Sequence, residues 1–456
     1  MKALEDDGDL FDILKESPKS VAELLKAAAH QGRVRILSLL LEENQDLSSF
    51  VDETGLSKNA IVNHLTILID NGLVERVGRG EYALTHDGLD LIKAAASVYR
   101  DSTLRKQERR RLSQRLYASG WSGEGLKEIT LDREIRYQPC WISYTGAMAG
   151  ALRSLGVNCD TTDIGGHSGY AFIVNVLKGE FCPSGPTAFY TDTYEKLHWG
   201  VQNLGWKIVH WFDEGSYPRV EEAPSPQDVE RAQRLFDLVR VEIEQNRPVV
   251  LWGLHIPAYG IVKGIRGNSY LTRSFKSLIG QPEEPVLYID LKAPGCLDAY
   301  FFRETIDVDA EKADRDAVDR GLRFARCLTP AVERYVNGPR AWAEWADILE
   351  NHPEQELYHG NSYNAACYHE ARQMASEFLD RVAKRRKGAY TRHLGEASKI
   401  NGQMARLLGE FTKIFPFKME GEMSTDDRMK GAKILKRIKP LDERAAEQLE
   451  KALEKW

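Results

Sequence analysis

Apolar positions recur at helical spacing after residue 57, with Ile61, Leu65 and Leu68 on one stripe and Asn59, Val62, Asn63 and Thr66 opposite. Ser57 stands just before this stripe, where a hydroxyl can satisfy an orphan amide as N-cap. Upstream, residues 47–53 are amphipathic and Gly55 supplies a turn. Helix, glycine-containing turn and second helix form a helix-turn-helix pattern. Two strand-like runs follow, 73–77 and 81–85, joined at Gly78-Arg79-Gly80. They predict a hairpin wing with a basic tip. Residues 21–29 and 33–41 predict supporting helices on either side of Gln31-Gly32. Residues 86–99 predict another, with Leu89, Ile92 and Ala96 on one face.

The pattern changes near Tyr117. Between about 128 and 305, short apolar runs alternate with turn signals such as Arg266-Gly267-Asn268. Strands are expected over 206–211, 249–252, 260–265, 269–272 and 286–289. An amphipathic helix is expected over 225–245, and another from Cys140 to its close at 152–157. From about 308 onward the periodicity is helical, over 315–328, 338–350, 361–387, 394–415, 427–437 and 442–455. Pro353, Pro416 and Pro440 fall in the breaks, where a residue without an amide donor does least harm.

Composition bounds the function. The chain has 456 residues, 42% hydrophobic and 29% charged, as expected of two or three globular domains. It has no apolar run of about 18 residues and no signal-like start, so a cytoplasmic protein without a membrane partner is expected. The six cysteines show no metal-type spacing and read as free thiols. No metal and no cofactor is expected. The formal net charge is −6, so any nucleic-acid contact must come from a local patch. The basic run at 104–115 reads as a solvated helical linker, with phosphate tracking or packing beside a dimer partner as alternatives.

Asparagine can pair bidentately with adenine in the major groove, so Asn59 and Asn63 are candidates for base contacts to double-stranded DNA. Lys58, Arg76 and Arg79 are candidates for phosphate or minor-groove contacts, with Ser57 at the helix start. His64 either faces DNA or is a half-buried histidine at the helix edge. The runs GRVRILSLLL, LSKNAIVNHLTILIDNGLVER and GEYALTHDG make residues 24–93 resemble the ArsR-type winged-helix regulators. The resemblance implies DNA binding by a dimer, commonly a repressor. Metal-sensing members carry Cys or His ligands on these helices, and this stretch has no cysteine.

Cys140-Trp141 opens the helix CWISYTGAMAGALRSLG, where the positive end of the dipole would favour thiolate. A small buried thiol is the alternative. The run NCDTTDIGGHSGYAFIVNV and Cys182-Pro-Ser-Gly-Pro make residues 135–300 resemble the papain-like fold of the BtrH N-terminal family. That resemblance implies acyl-transfer chemistry and a helical extension after the domain. The sequence departs from it in one respect: the strand position expected for a base histidine holds Ala258 or Tyr259. His255 lies a few residues early, and His210 and His167 read as structural. A thiolate without a placed base lacks its proton donor for the leaving group. Trp141, Tyr144, Ser168, Gly169 and Tyr259, with Cys140, are then expected to line a ligand pocket.

The expected fold is multi-domain α+β: a winged helix-turn-helix at the N-terminus, a central papain-like α/β domain and an all-helical C-terminal region. The expected boundaries are 1–20 for an acidic arm, 21–100 for the winged helix, 101–127 for a basic linker, 128–305 and 306–456. The expected function is transcription regulation by a homodimer that senses a small molecule or peptide. The alternative is a cysteine-dependent acyltransferase or amide hydrolase, with Cys140 as nucleophile and His255 as base.

Overall fold

The chain divides into two compact units, Met1–Glu108 and Arg109–Trp456. The computed structural model describes residues 8–41, 43–78, 80–100, 102, 128–187, 197–213, 225–327, 334–352 and 357–456. The expected linker at 101–127 therefore lies outside the described residues, apart from Ser102.

In the first unit the order is α1 (Gly8–Glu16), α2 (Pro18–Ala28), α3 (Gln31–Leu39), β1 (Gln45–Asp46), α4 (Leu47–Thr54), α5 (Lys58–Asp70), β2 (Val74–Arg76), β3 (Glu81–Leu84) and α6 (His86–Arg100). The stretch expected as an arm is a helix over its described part, and Pro18 starts the next helix at a position where its missing amide costs nothing. Gln31 and Gly32 open α3 and do not separate two helices, because the His30 Nδ1 accepts the Gly32 amide at 3.0 Å. Asp46 caps α4 by accepting the Ser49 amide at 2.8 Å. Gly55 ends α4 in the left-handed region, φ 66°, which turns the chain into α5. β3 is the middle strand of an antiparallel sheet in the order β1-β3-β2. Phe50, Ile61, Leu65, Leu68, Leu73 and Tyr82 share one core beneath it.

The second unit is built on an antiparallel sheet. Its strands are β4 (Glu128–Thr130), β6 (Trp206–Asp213), β7 (Val249–Trp252), β8 (Tyr259–Arg266), β9 (Ser269–Arg273), β10 (Val286–Leu287) and β11 (Leu297–Thr305). The order is β10-β9-β8-β7-β11-β6, with β4 also on β8. The helix α7 (Ser143–Ser154) packs on β8. It comes close because of its small residues: a Cβ on Gly150 would lie 2.7 Å from Ile261 Cδ1 of β8 and 2.4 Å from the Arg136 carbonyl oxygen. Next in the chain come α8 (Thr161–Ser168) and β5 (Asn175–Leu177). Between β6 and β7, Ser225 caps α9 (Pro226–Glu244) in a reciprocal capping box with Asp228.

The C-terminal stretch holds α10 (Ala310–Ala325), α11 (Pro339–Asn351), α12 (Tyr358–Arg385), α13 (Thr391–Ile414) and α14 (Thr425–Leu453). It is not all helical: β12 (Tyr335–Asn337) pairs antiparallel with β5. Nor does Pro440 break the last helix in two. Pro440 is exposed, so the carbonyl it leaves without a donor faces solvent, while Ile438, Asp442 and Ala445 hold the buried side together. One core takes in Leu131, Phe236 and Phe301 from before residue 305 and Phe378, Val382 and Leu449 from after it. Residues 128–305 and 306–456 thus share their packing. A second core joins Val176 and Phe181 to Trp342, Trp345, Leu408 and Phe411.

Arg372 of α12 ties these layers together. It is 1% exposed, and it donates to the Ala171 carbonyl at 2.6 Å and to Asp442 of α14 at 3.2 Å. Asp442 also accepts the Trp342 indole N–H at 2.7 Å, and the guanidinium lies 5.6 Å from the Trp342 ring centroid.

Candidate functional site

The first unit presents α5 as a two-faced helix. Ile61, Leu65 and Leu68 are buried, while Lys58, Asn59, Val62, Asn63 and Thr66 are exposed. The Ser57 hydroxyl accepts the Ala60 amide at 3.3 Å, so this side chain caps the helix. Thr66 turns its hydroxyl back to the Val62 carbonyl at 2.9 Å. Asn59 and Asn63 make no side-chain hydrogen bond among the described residues, which leaves both amides free to meet a base edge. His64 is half-buried, its ring 4.5 Å from that of His30. Burial, then the nearby His30 and Arg33, push its pKa below the ordinary value. On the wing, Arg76 is exposed and its guanidinium lies 5.5 Å from the Tyr82 ring centroid. Arg79 lies outside the described residues.

This arrangement is a helix-turn-helix with a hairpin beside it, and residues 30–76 match the family model described as bacterial regulatory protein, arsR family. The first unit carries an ArsR-family helix-turn-helix. DNA binding and transcription regulation thereby belong to this unit. The matched stretch is a small part of the 456 residues. No curated protein matches the chain.

In the second unit Cys140 precedes α7 by three residues and does not open it. Its thiol lies 2.9 Å from the Glu370 carboxylate and 2.7 Å from the Thr145 hydroxyl. The same Glu370 oxygen accepts the amides of Trp141 at 2.8 Å and Ile142 at 3.1 Å. A carboxylate of α12 therefore sits where a reacting carbonyl oxygen would need those amides. Burial and then the Glu370 charge push the Cys140 thiol well above its ordinary pKa, so it is a protonated donor. Burial and the Glu370 charge oppose the thiolate that a helix dipole would favour.

His255 is held elsewhere. It sits in the left-handed region at φ 71°, with Nε2 at 3.0 Å from the Thr272 hydroxyl and 3.2 Å from Glu283. Burial raises the Glu283 pKa, but hydrogen bonds from His255, Ser274 and Thr272 outweigh it and bring the carboxyl down to about 2. No hydrogen bond or ion pair joins His255 to Cys140.

The other expected pocket residues scatter. Trp141 is exposed and leans on Phe417, ring centroids 4.7 Å apart. Ser168 and Gly169 end α8: Ser168 is buried, and the Gly169 amide is spent on the Gly166 carbonyl at 3.1 Å. They are a helix terminator and not a ligand cradle. Tyr144 and Tyr259 are both buried, with ring centroids 5.6 Å apart. The Tyr259 hydroxyl donates to Asp298, which also pairs with His210 at 2.9 Å. His210 and Asp298 are 3% and 2% exposed, so this acid–base pair is closed to a substrate. His167 is a core residue whose burial lowers its pKa to about 4. Among the described residues no group of three His, Cys, Asp or Glu side chains could hold a metal ion.

Three partners escaped the sequence reading: Glu370, Glu283 and Asp298. Asp298 did leave a signal, a lone carboxylate in the apolar run LDAYFF. Glu370 left none, since it lies 230 residues from Cys140 in the sequence.

The cluster makes a prediction. Cys140 should alkylate about tenfold more slowly than a free thiol at pH 8, and Glu370→Gln should speed it, because the neighbouring charge is removed while an acceptor stays. Peptide mass spectrometry after timed labelling reads both rates. Equal rates in the parent and the variant would contradict the assignment.

Proposed function

We propose that the chain is a ligand-controlled transcription regulator that acts as a homodimer and probes the major groove with Asn59 and Asn63 of α5. One observation carries this reading: the ArsR-family match spans the helix whose amide side chains are exposed and unpaired. Acidic residues outnumber basic ones in residues 30–76, so phosphate attraction falls on a few side chains, Lys58 and Arg76 among them. Support for a second copy comes from α1, α2 and α6, which leave Ile13 at 52%, Leu25 at 56% and Val98 at 74% exposure. Two-fold related half-sites are expected of such a dimer.

The Arg109–Trp456 unit is the sensor, a papain-like body with BtrH-type ancestry in this reading. Its support is the start of β8, where the Tyr259 amide donates to the Ser143 hydroxyl at the head of α7. Glu370 on the Cys140 thiol favours binding over turnover, and the absence of a hydrogen bond between His255 and Cys140 counts against the hydrolase alternative. A mobility-shift titration of the full chain with its own upstream DNA at moderate salt tests the reading. A shift that unrelated DNA does not compete is expected. Folded protein that gives no shift overturns it.

A further inference from the structure

A groove of about 440 Å³ runs between the segment after β4 and the strands β8 and β9. Arg133, Arg136, Lys263 and Arg273 line it, against one carboxylate, Glu134. Arg133 is paired with the neighbouring Asp132 at 3.5 Å, so Lys263 and Arg273 are the two lining cations without an ion pair among the described residues. Glu134 pairs with Arg136 at 2.7 Å and acts more weakly on Arg273; both side chains of the pair are more than two-thirds exposed, so it sits on the rim. The Arg273 side chain makes one hydrogen bond among the described residues, a long one of 3.4 Å to the Thr272 carbonyl. Lys263 pairs with no carboxylate among the described residues.

The backbone places Lys263 there by a specific device. The β8–β9 register runs from Val262 opposite Thr272 to Gly264 opposite Leu271, which leaves Lys263 as the extra residue of a bulge. Its carbonyl is pinned by the Leu131 amide at 2.9 Å, on the strand side of the same groove. Burial, then the Arg273 charge, lower the Lys263 pKa from the ordinary value, against a smaller opposing pull from Glu128 and Glu283. Leu131 and Leu278 add apolar wall beside the cations. A cavity of this size, with a few charged groups on one side and apolar groups on the other, suits a small molecule.

The geometry points to a binding site for a small organic phosphate, its phosphoryl group between Lys263 and Arg273 and its carbon skeleton against Leu131 and Leu278. The site deepens the sensor reading, on which its regulatory meaning rests, whereas binding itself does not depend on DNA. Charge-assisted hydrogen bonds to phosphate carry most of the affinity in such a site.

Calorimetric titration of the full chain with inorganic pyrophosphate, without DNA, provides the test. Saturable binding is expected in low salt. Lys263→Met and Arg273→Met should each weaken it about tenfold. Lys263→Arg should restore most of it. Unchanged thermal unfolding of the variants separates lost binding from lost folding. The assignment is overturned by absent pyrophosphate binding in folded protein, or by equal affinity in parent and Met variants. It is also overturned if Lys263→Met loses affinity for a DNA duplex but not for pyrophosphate. Because the titration contains no DNA, its failure and a failed mobility shift are separate results.

Discussion

Asp442→Ala is expected to destabilise the Arg109–Trp456 unit by about 3–5 kcal/mol. The carboxylate does two jobs in a closed space. It neutralises Arg372 and accepts the Trp342 indole N–H at 2.7 Å. Removing it leaves a guanidinium 1% exposed without its counter-charge, and the Ala171 carbonyl can compensate only in part. Desolvating an uncompensated cation costs more than any lost contact. Asp442→Asn keeps an acceptor for the indole and should lose less. Arg372→Met with Asp442→Leu removes both charges and should recover much of the loss, because the penalty lies in the unpaired ion and not in the absence of the pair. Urea unfolding followed by tryptophan fluorescence reads the three variants. A loss below about 1 kcal/mol for Asp442→Ala would show that water reaches Arg372.

The largest functional effect is expected at α5. Asn59→Ala and Asn63→Ala should each cost about 1–3 kcal/mol of sequence-specific affinity. Together they should bring specific binding near the non-specific level. Neither side chain supports the fold: both are exposed and make no hydrogen bond among the described residues. Unfolding curves should therefore stay unchanged. Lys58→Ala should differ in kind, weakening all sequences alike and reducing the salt dependence of binding by about one phosphate contact. Fluorescence anisotropy with specific and scrambled duplexes separates the two behaviours. Equal losses on both duplexes for the asparagine variants would move base reading away from α5.

The winged unit was legible because each signal was local. Ser57, Gly55 and the stripe Ile61–Leu65–Leu68 act within one turn or one helix, and the structure uses them as read. The short strand β1 was missed: it has two residues and exists only through pairing with β3. In the second unit, α9 declared itself by its amphipathic face. β11 did not, although it is an inner strand between β7 and β6. Its run Leu297–Phe302 is buried throughout, and a stretch buried on both faces has no alternation to read. The Cys140 environment was illegible for a different reason. Local position predicts a thiolate at a helix start, and the group that decides the matter arrives from α12, 230 residues away. His255 shows the same limit, since its partners come from β9 and from Glu283.

The shared core of residues 128–305 and 306–456 sets the limits of modularity. A cut near 305 would strip Phe378, Leu379, Val382 and Leu449 from the core they share with residues 128–305, and would part β5 from β12. Neither fragment would keep a closed interior, so the sheet cannot be borrowed without its helices. The seam that a chimera can exploit lies near residue 108, where the compact units divide. Grafting a different DNA-reading head there would carry the remaining chain across as one indivisible body.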